Sequence, residues 1–143
     1  MTVERVNYAA VIVAAVADFV LGAIWFTVLQ KPWLASLGKT LDELRQQGNA
    51  TLAYLVAFGA DLIMAWVLAR FMIAVGKTSV AAGMGLAGLL WLGFTATTMA
   101  TAFVFEARPV EGFAIVAGYP LVGMLVMGTI LGAWKRKDGS QVA

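Results

Sequence analysis

The chain has 143 residues, 62% of them hydrophobic and only 13% charged, with a formal net charge of +2. A soluble domain is typically about 45–50% apolar and about 25% charged, so too few polar groups are present to clothe a water-facing surface. Cysteine and histidine are both absent, which excludes disulfides and thiol catalysis and removes the commonest general base and metal ligand.

Four apolar segments, at about 7–29, 50–75, 80–105 and 112–134, each approach the ~20 residues a helix needs to cross a ~30 Å hydrocarbon core. The runs are continuous, not alternating, which excludes a barrel. The fold class read from this pattern is all-α: an integral membrane four-helix bundle in one transmembrane domain over 1–143, with a short interfacial helix between spans one and two.

Span one contains Ala15-Val16-Ala17, which has the small-residue form of a signal-peptidase site. The sequence from Phe19 to Leu29 continues apolar without a break, so the segment reads as a retained span. Near its middle lies Asp18. A charged side chain at bilayer depth costs about 2.5–3.5 kcal/mol on insertion scales, so such residues are usually paired, protonated or functional. Lys31-Pro32-Trp33 ends the span with a cation, a helix breaker and an interfacial aromatic.

In the connection that follows, Thr40-Leu41-Asp42-Glu43 has capping-box spacing and Gly48 supplies a stop, which predicts a helix over 41–47. Leu37, Leu41 and Leu44 recur at helical spacing. Such a helix either lies on the membrane surface or is a solvated loop element.

Span two carries the second acid, Asp61. Both aspartates lie about 11 residues beyond the start of their spans, a depth of ~16 Å at the helical rise, and consecutive spans run in opposite directions. The two carboxyls therefore reach one level, facing each other within a monomer or across a dimer axis. Two carboxyls close together in an apolar interior cannot readily both ionise, so one shared proton or a bound cation is expected, with at least one acid neutral at pH 7. Val13-Ala14 and Ala17-Asp18 also align at a constant offset with Val56-Ala57 and Ala60-Asp61, a weak internal echo of the kind that inverted repeats leave. The opposing reading of each acid is structural, a protonated group bonded to a neighbouring helix.

Span three offers Thr95, Thr97, Thr98 and Thr101. Gly93, Thr97 and Thr101 fall on one line at four-residue spacing, a small, hydrogen-bonding face that could complete the interior site. Glu106, Arg108, Pro109 and Glu111 in the outer connection read either as a local ion pair or as a gate or ligand-facing cluster above the carboxyls. Span four carries Gly118, Gly123, Gly128 and Gly132, the last two in a Gly-x-x-x-Gly pattern that packs helices within the chain or in a homodimer. Tyr119-Pro120 is expected to kink this span near its start or to mark the entry of the chain into the bilayer.

With four spans, both termini share a side with the turn between spans two and three. That side holds Arg5, Arg70, Lys77, Lys135, Arg136 and Lys137, and the other holds Lys31, Lys39, Arg45 and Arg108. Basic residues mark the cytoplasm, so both termini are expected inside. The basic tail reads as this topology signal and not as a nucleic-acid site.

Several strings together carry a family resemblance: Asn7-x-x-Ala10, Phe19-Val20-Leu21-Gly22-Ala23-Ile24-Trp25-Phe26 and Lys31-Pro32-Trp33; Trp91-Leu92-Gly93-Phe94 with Thr97-Thr98 and Phe105-Glu106-x-Arg108; and Gly118-Tyr119 with Met127-Gly128-x-Ile130-Leu131-Gly132-x-Trp134. The chain resembles the "domain of unknown function 1761" family of small bacterial membrane proteins over nearly its whole length. It departs from that pattern at Thr27-Val28-Leu29, where such sequences usually carry a proline. The resemblance implies four spans and assigns no activity; the expected location is a bacterial inner membrane.

Two functions from different classes fit these residues. One is a proton- or cation-coupled transporter or channel for a small solute, using Asp18 and Asp61 and requiring a dimer. The other is a non-catalytic assembly, stress-related or lipid-interacting helper. An enzyme is not expected, since no nucleophile, metal or cofactor constellation is visible.

Overall fold

The structure, a computed structural model, describes residues 5–134. Every element among them is helical: α1 (Tyr8–Val28), α2 (Gln30–Leu37), α3 (Leu41–Gln47), α4 (Ala50–Ala74), α5 (Val80–Leu90), a π-helical segment (Trp91–Ala96), α6 (Thr97–Phe105) and α7 (Val110–Ala133). The segment from Val80 to Phe105 acts as one span, so four helices are long and apolar enough to cross a membrane. The fold is the integral membrane four-helix bundle that the apolar pattern predicts. The basic tail Lys135-Arg136-Lys137 lies outside the described residues.

Local chemistry sets the helix ends. Asn7 caps α1 by accepting from the Ala10 amide at 3.2 Å, Asn49 caps α4 through the Leu52 amide at 3.0 Å, and Ser79 caps α5 through the Ala82 amide at 3.2 Å. The predicted capping box closes in both directions, with Glu43 N–H donating to Thr40 Oγ1 at 3.2 Å and Thr40 N–H donating to Glu43 Oε2 at 2.7 Å. The 41–47 helix is present, and Gly48 is its C-cap.

Three sequence expectations change here. Lys31-Pro32-Trp33 does not end helical structure; it lies in the first turn of α2. A proline there forfeits no intrahelical hydrogen bond, because first-turn amides have no partner in any case. Leu37 consequently belongs to α2, so the line Leu37, Leu41, Leu44 does not run along a single helix. Pro120 lies well inside α7, near its midpoint, and not at its entry. It leaves the Val116 carbonyl without its helical donor.

α7 is the hub and the most buried span, with α1 and α5 packed closest against it and α4 resting mainly on α1. Small residues permit these approaches. A Cβ on either Gly83 or Gly128 would collide with the backbone of the other, and one on Gly132 would meet Ser79 O at 2.5 Å. Gly128 and Gly132 therefore pack helices inside the chain, whereas Gly93 is exposed with nothing near its missing Cβ.

The main core is strongly one-sided. Ala10, Val11, Ala14 and Ala15 of α1, Ala65, Leu68, Ala69 and Met72 of α4, Ala87 of α5, and Met124, Met127 and Leu131 of α7 form its centre. All lie between the level of the aspartates and the end of the bundle that carries the termini. Asn7 Nδ2 ties that end together by donating to the Trp134 carbonyl at 3.3 Å. Towards the opposite end, residues Ala50 to Ala57 of α4 are exposed throughout.

Candidate functional site: a buried carboxyl pair

Asp18 is the eleventh of 21 residues in α1, and Asp61 the twelfth of 25 in α4. Antiparallel packing brings these midpoints together, and the two carboxyls lie within hydrogen-bonding reach of each other inside one chain. Asp18 is 1% exposed and Asp61 3%. Both oxygens of Asp18 and Oδ2 of Asp61 are sealed from solvent without a hydrogen-bond partner. Among the described residues no lysine or arginine forms a salt bridge with either acid.

α7 supplies the third wall. The Asp18 carboxyl rests on Gly123, where a Cβ would collide with Oδ1 and sit 2.8 Å from Cγ. Tyr119, one helical turn earlier, reaches the same place from the other end. Its hydroxyl donates weakly to the Asp18 carbonyl at 3.4 Å and stands within reach of the Asp18 carboxyl. Its ring edge occupies the notch left by Gly22, where an added Cβ would lie 2.9 Å from the phenolic oxygen. Asp18 and Gly22 are four residues apart and so share one face of α1.

Aromatic rings flank the pair, and one of them, Phe58, also packs against the main core. Phe19 meets Phe58 at 5.7 Å and Tyr54 at 6.1 Å, both edge-on, and Tyr119 meets Phe26 at 5.5 Å. Two indoles grip the turn of α7 around Pro120: Trp25 Nε1 donates to the Ile115 carbonyl at 3.0 Å, and Trp91 Nε1 to the Ala117 carbonyl at 2.9 Å.

The other sequence candidates lie elsewhere. Thr97 and Thr101 are exposed, and each hydroxyl donates to the carbonyl four residues back, at 2.9 Å to Gly93 and 3.0 Å to Thr97. The threonine line faces outward and does not join the carboxyls. Its rotation has a local cause, since the wider π turn at Trp91–Ala96 inserts residues, each of which swings the downstream face by about 100°. Glu106 and Arg108 form the expected local ion pair at 3.6 Å, at the far end of α6. The Asp18–Asp61 echo does not extend to its flanks either, because Ala14 is buried and Ala57 exposed.

Sequence reasoning gave Tyr119 no place in the carboxyl site and treated Gly123 only as one of a glycine series. A phenol at mid-span and a glycine one turn after it were the available signals. The donor set is two carboxyls and a phenol; among the described residues no group of three His, Cys, Asp or Glu side chains could hold a metal ion.

No significant match is found among curated proteins or among solved structures. The family model described as "Protein of unknown function (DUF1761)" matches residues 9–132. The chain belongs to this DUF1761 family of proteins of unknown function.

Proposed function

We propose that the protein is a small proton-coupled membrane transporter or channel, and that Asp18 and Asp61 together are its proton-carrying site. The observation that carries this reading is a pair of apposed carboxyls at mid-span, sealed from water, with no basic partner. Two negative charges so placed repel each other in a low-dielectric setting, and one proton shared between them removes the repulsion. Ca²⁺ takes six to eight oxygen ligands, more than two carboxyls and a phenol supply.

The one-sided core supports access from a single face. The main core packs beneath the pair, towards the termini, whereas above it the first half of α4 is exposed and the burial comes from α2 and the first half of α7, through Ser36, Gly112 and Ile115. The positive-inside rule favours both termini in the cytoplasm, and on that reading the pair loads from the opposite face.

Infrared spectroscopy of the protein in lipid tests the proton directly. A protonated-carboxyl stretch at neutral pH is expected in the wild type, shifted in frequency in Asp18→Asn and in Asp61→Asn, and lost when both are replaced. A wild-type spectrum without that band ends the proposal. A second reading, a structural helper, is favoured by the tight seat of Asp18 on Gly123. Wild-type cellular function in the doubly substituted Asp18→Asn, Asp61→Asn protein would select it.

A further inference from the structure

At the corner where α6 meets α7, a half-open cavity of about 150 Å³ is lined by Ala100, Phe103, Val104, Arg108, Val110 and Phe113. Its walls are apolar except for Arg108, and that volume accepts an apolar group of about benzene size. Val104 and Val110 at its rim are 80% and 77% exposed on the outer surface of the bundle.

Arg108 is held over this slot by the chain itself. The Arg108 amide donates to the Phe103 carbonyl at 3.0 Å, and Ala107 turns the chain with a left-handed φ of 51°. The guanidinium carbon then lies 3.9 Å from the Phe103 ring centroid. Its contact with Glu106 is 3.6 Å, longer than a hydrogen bond, and no other side-chain partner of Arg108 occurs among the described residues. A guanidinium has five N–H donors, so its capacity to bind an oxyanion is unspent.

This corner lies at the end of a span, the level at which lipid headgroups sit. An apolar slot, a cation above it and a carboxylate beside the cation match an acyl chain, a phosphate diester and a primary ammonium. Glu106 and Glu111 outnumber Arg108 in this connection, which disfavours a lipid of net negative charge. Choline lacks the N–H donors that a carboxylate would accept.

We propose that this corner is a seat for phosphatidylethanolamine, with Arg108 on the phosphate, Glu106 on the ammonium and the start of an acyl chain in the cavity. This inference stands apart from the carboxyl pair and does not depend on proton coupling.

The test is native mass spectrometry of the purified full chain in detergent, with equimolar phosphatidylethanolamine, phosphatidylglycerol and phosphatidylcholine of identical acyl chains. Retention of the ethanolamine lipid in about two- to fivefold excess is expected, the ratio that one interfacial ion pair supplies. Glu106→Gln should equalise the ethanolamine and choline lipids. Ala100→Trp, which fills the cavity and leaves the charges alone, should lower retention of all three. Arg108→Gln should do the same. Equal retention of the three lipids by the wild type, or preference for phosphatidylglycerol, overturns the proposal. So does wild-type retention in both Arg108→Gln and Ala100→Trp.

Discussion

The Asp18 carboxyl lies directly against the α-carbon of Gly123, close enough that one methyl group would collide with Oδ1. This contact joins α1 to α7 at mid-span and fixes where the acid points. Gly123→Ala is expected to destabilise the bundle by about 1–3 kcal/mol, the usual cost of overpacking. In the Asp18→Ala background the same substitution should cost less by at least about 1 kcal/mol, because the colliding group is gone. Thermal unfolding of the four proteins in one detergent measures this coupling, and strict additivity would contradict the contact.

Gly128 and Gly93 make a matched contrast within the same fold. Gly128→Ala drives a methyl group into the backbone of α5 at Gly83, so a loss of about 1–3 kcal/mol is expected. Gly93→Ala meets open space and gains up to about 1 kcal/mol of helix propensity. Unfolding midpoints that shift in opposite directions confirm the assignment of these faces.

Ala107 occupies the left-handed position of a helix end closed by Arg108 N–H to Phe103 O and Ala107 N–H to Val104 O. The corresponding positions after α2 and α4 are Gly38 and Gly76, with φ of 63° and 65°. Removing the Cβ relieves about 1–2 kcal/mol of steric cost and adds about 0.4–1 kcal/mol of unfolded-state entropy. Ala107→Gly should therefore stabilise the protein by about 0.5–1 kcal/mol in the same assay; destabilisation would contradict it.

The backbone N–H of Thr40, and then its hydroxyl, hold the Glu43 carboxyl below its ordinary value of 4.5. A depressed folded value stabilises the charged form, so the cap contributes fully above that ordinary value and is lost as pH falls through the lower one. Amide exchange across Leu41–Gln47, corrected for intrinsic rates, should show protection fading on acidification. Glu43→Gln should remove this pH dependence; an unchanged profile would contradict the capping role.

Features with a local chemical cause were legible in the sequence. Thr40, Glu43 and Gly48 define α3 to the residue, since a capping box needs only fixed spacing. Asp18 and Asp61 were placed at one level because helical rise and alternating direction leave no choice. The interior faces were harder. In spans that are apolar all round, periodicity does not mark the buried side, so Gly93, Thr97 and Thr101 were aligned with the site although they face outward. Straight-helix counting also missed the π turn, and a glycine series does not tell which member meets a partner. Gly123 was distinguishable only once Asp18 stood opposite it.

Trp25 and Trp91 belong to different spans yet bind neighbouring carbonyls of α7, and Tyr119 returns a weak bond from α7 to α1. Among the described residues, no side-chain hydrogen bond links α4 to any of these three. Three spans thus form a latched cassette, and the fourth is tied to it only by packing and by the Asp18–Asp61 carboxyl pair. A displacement of α4 along this cassette would break a single polar link, the one between Asp18 and Asp61, so the contact that holds the fourth span is also the contact that a change of protonation alters.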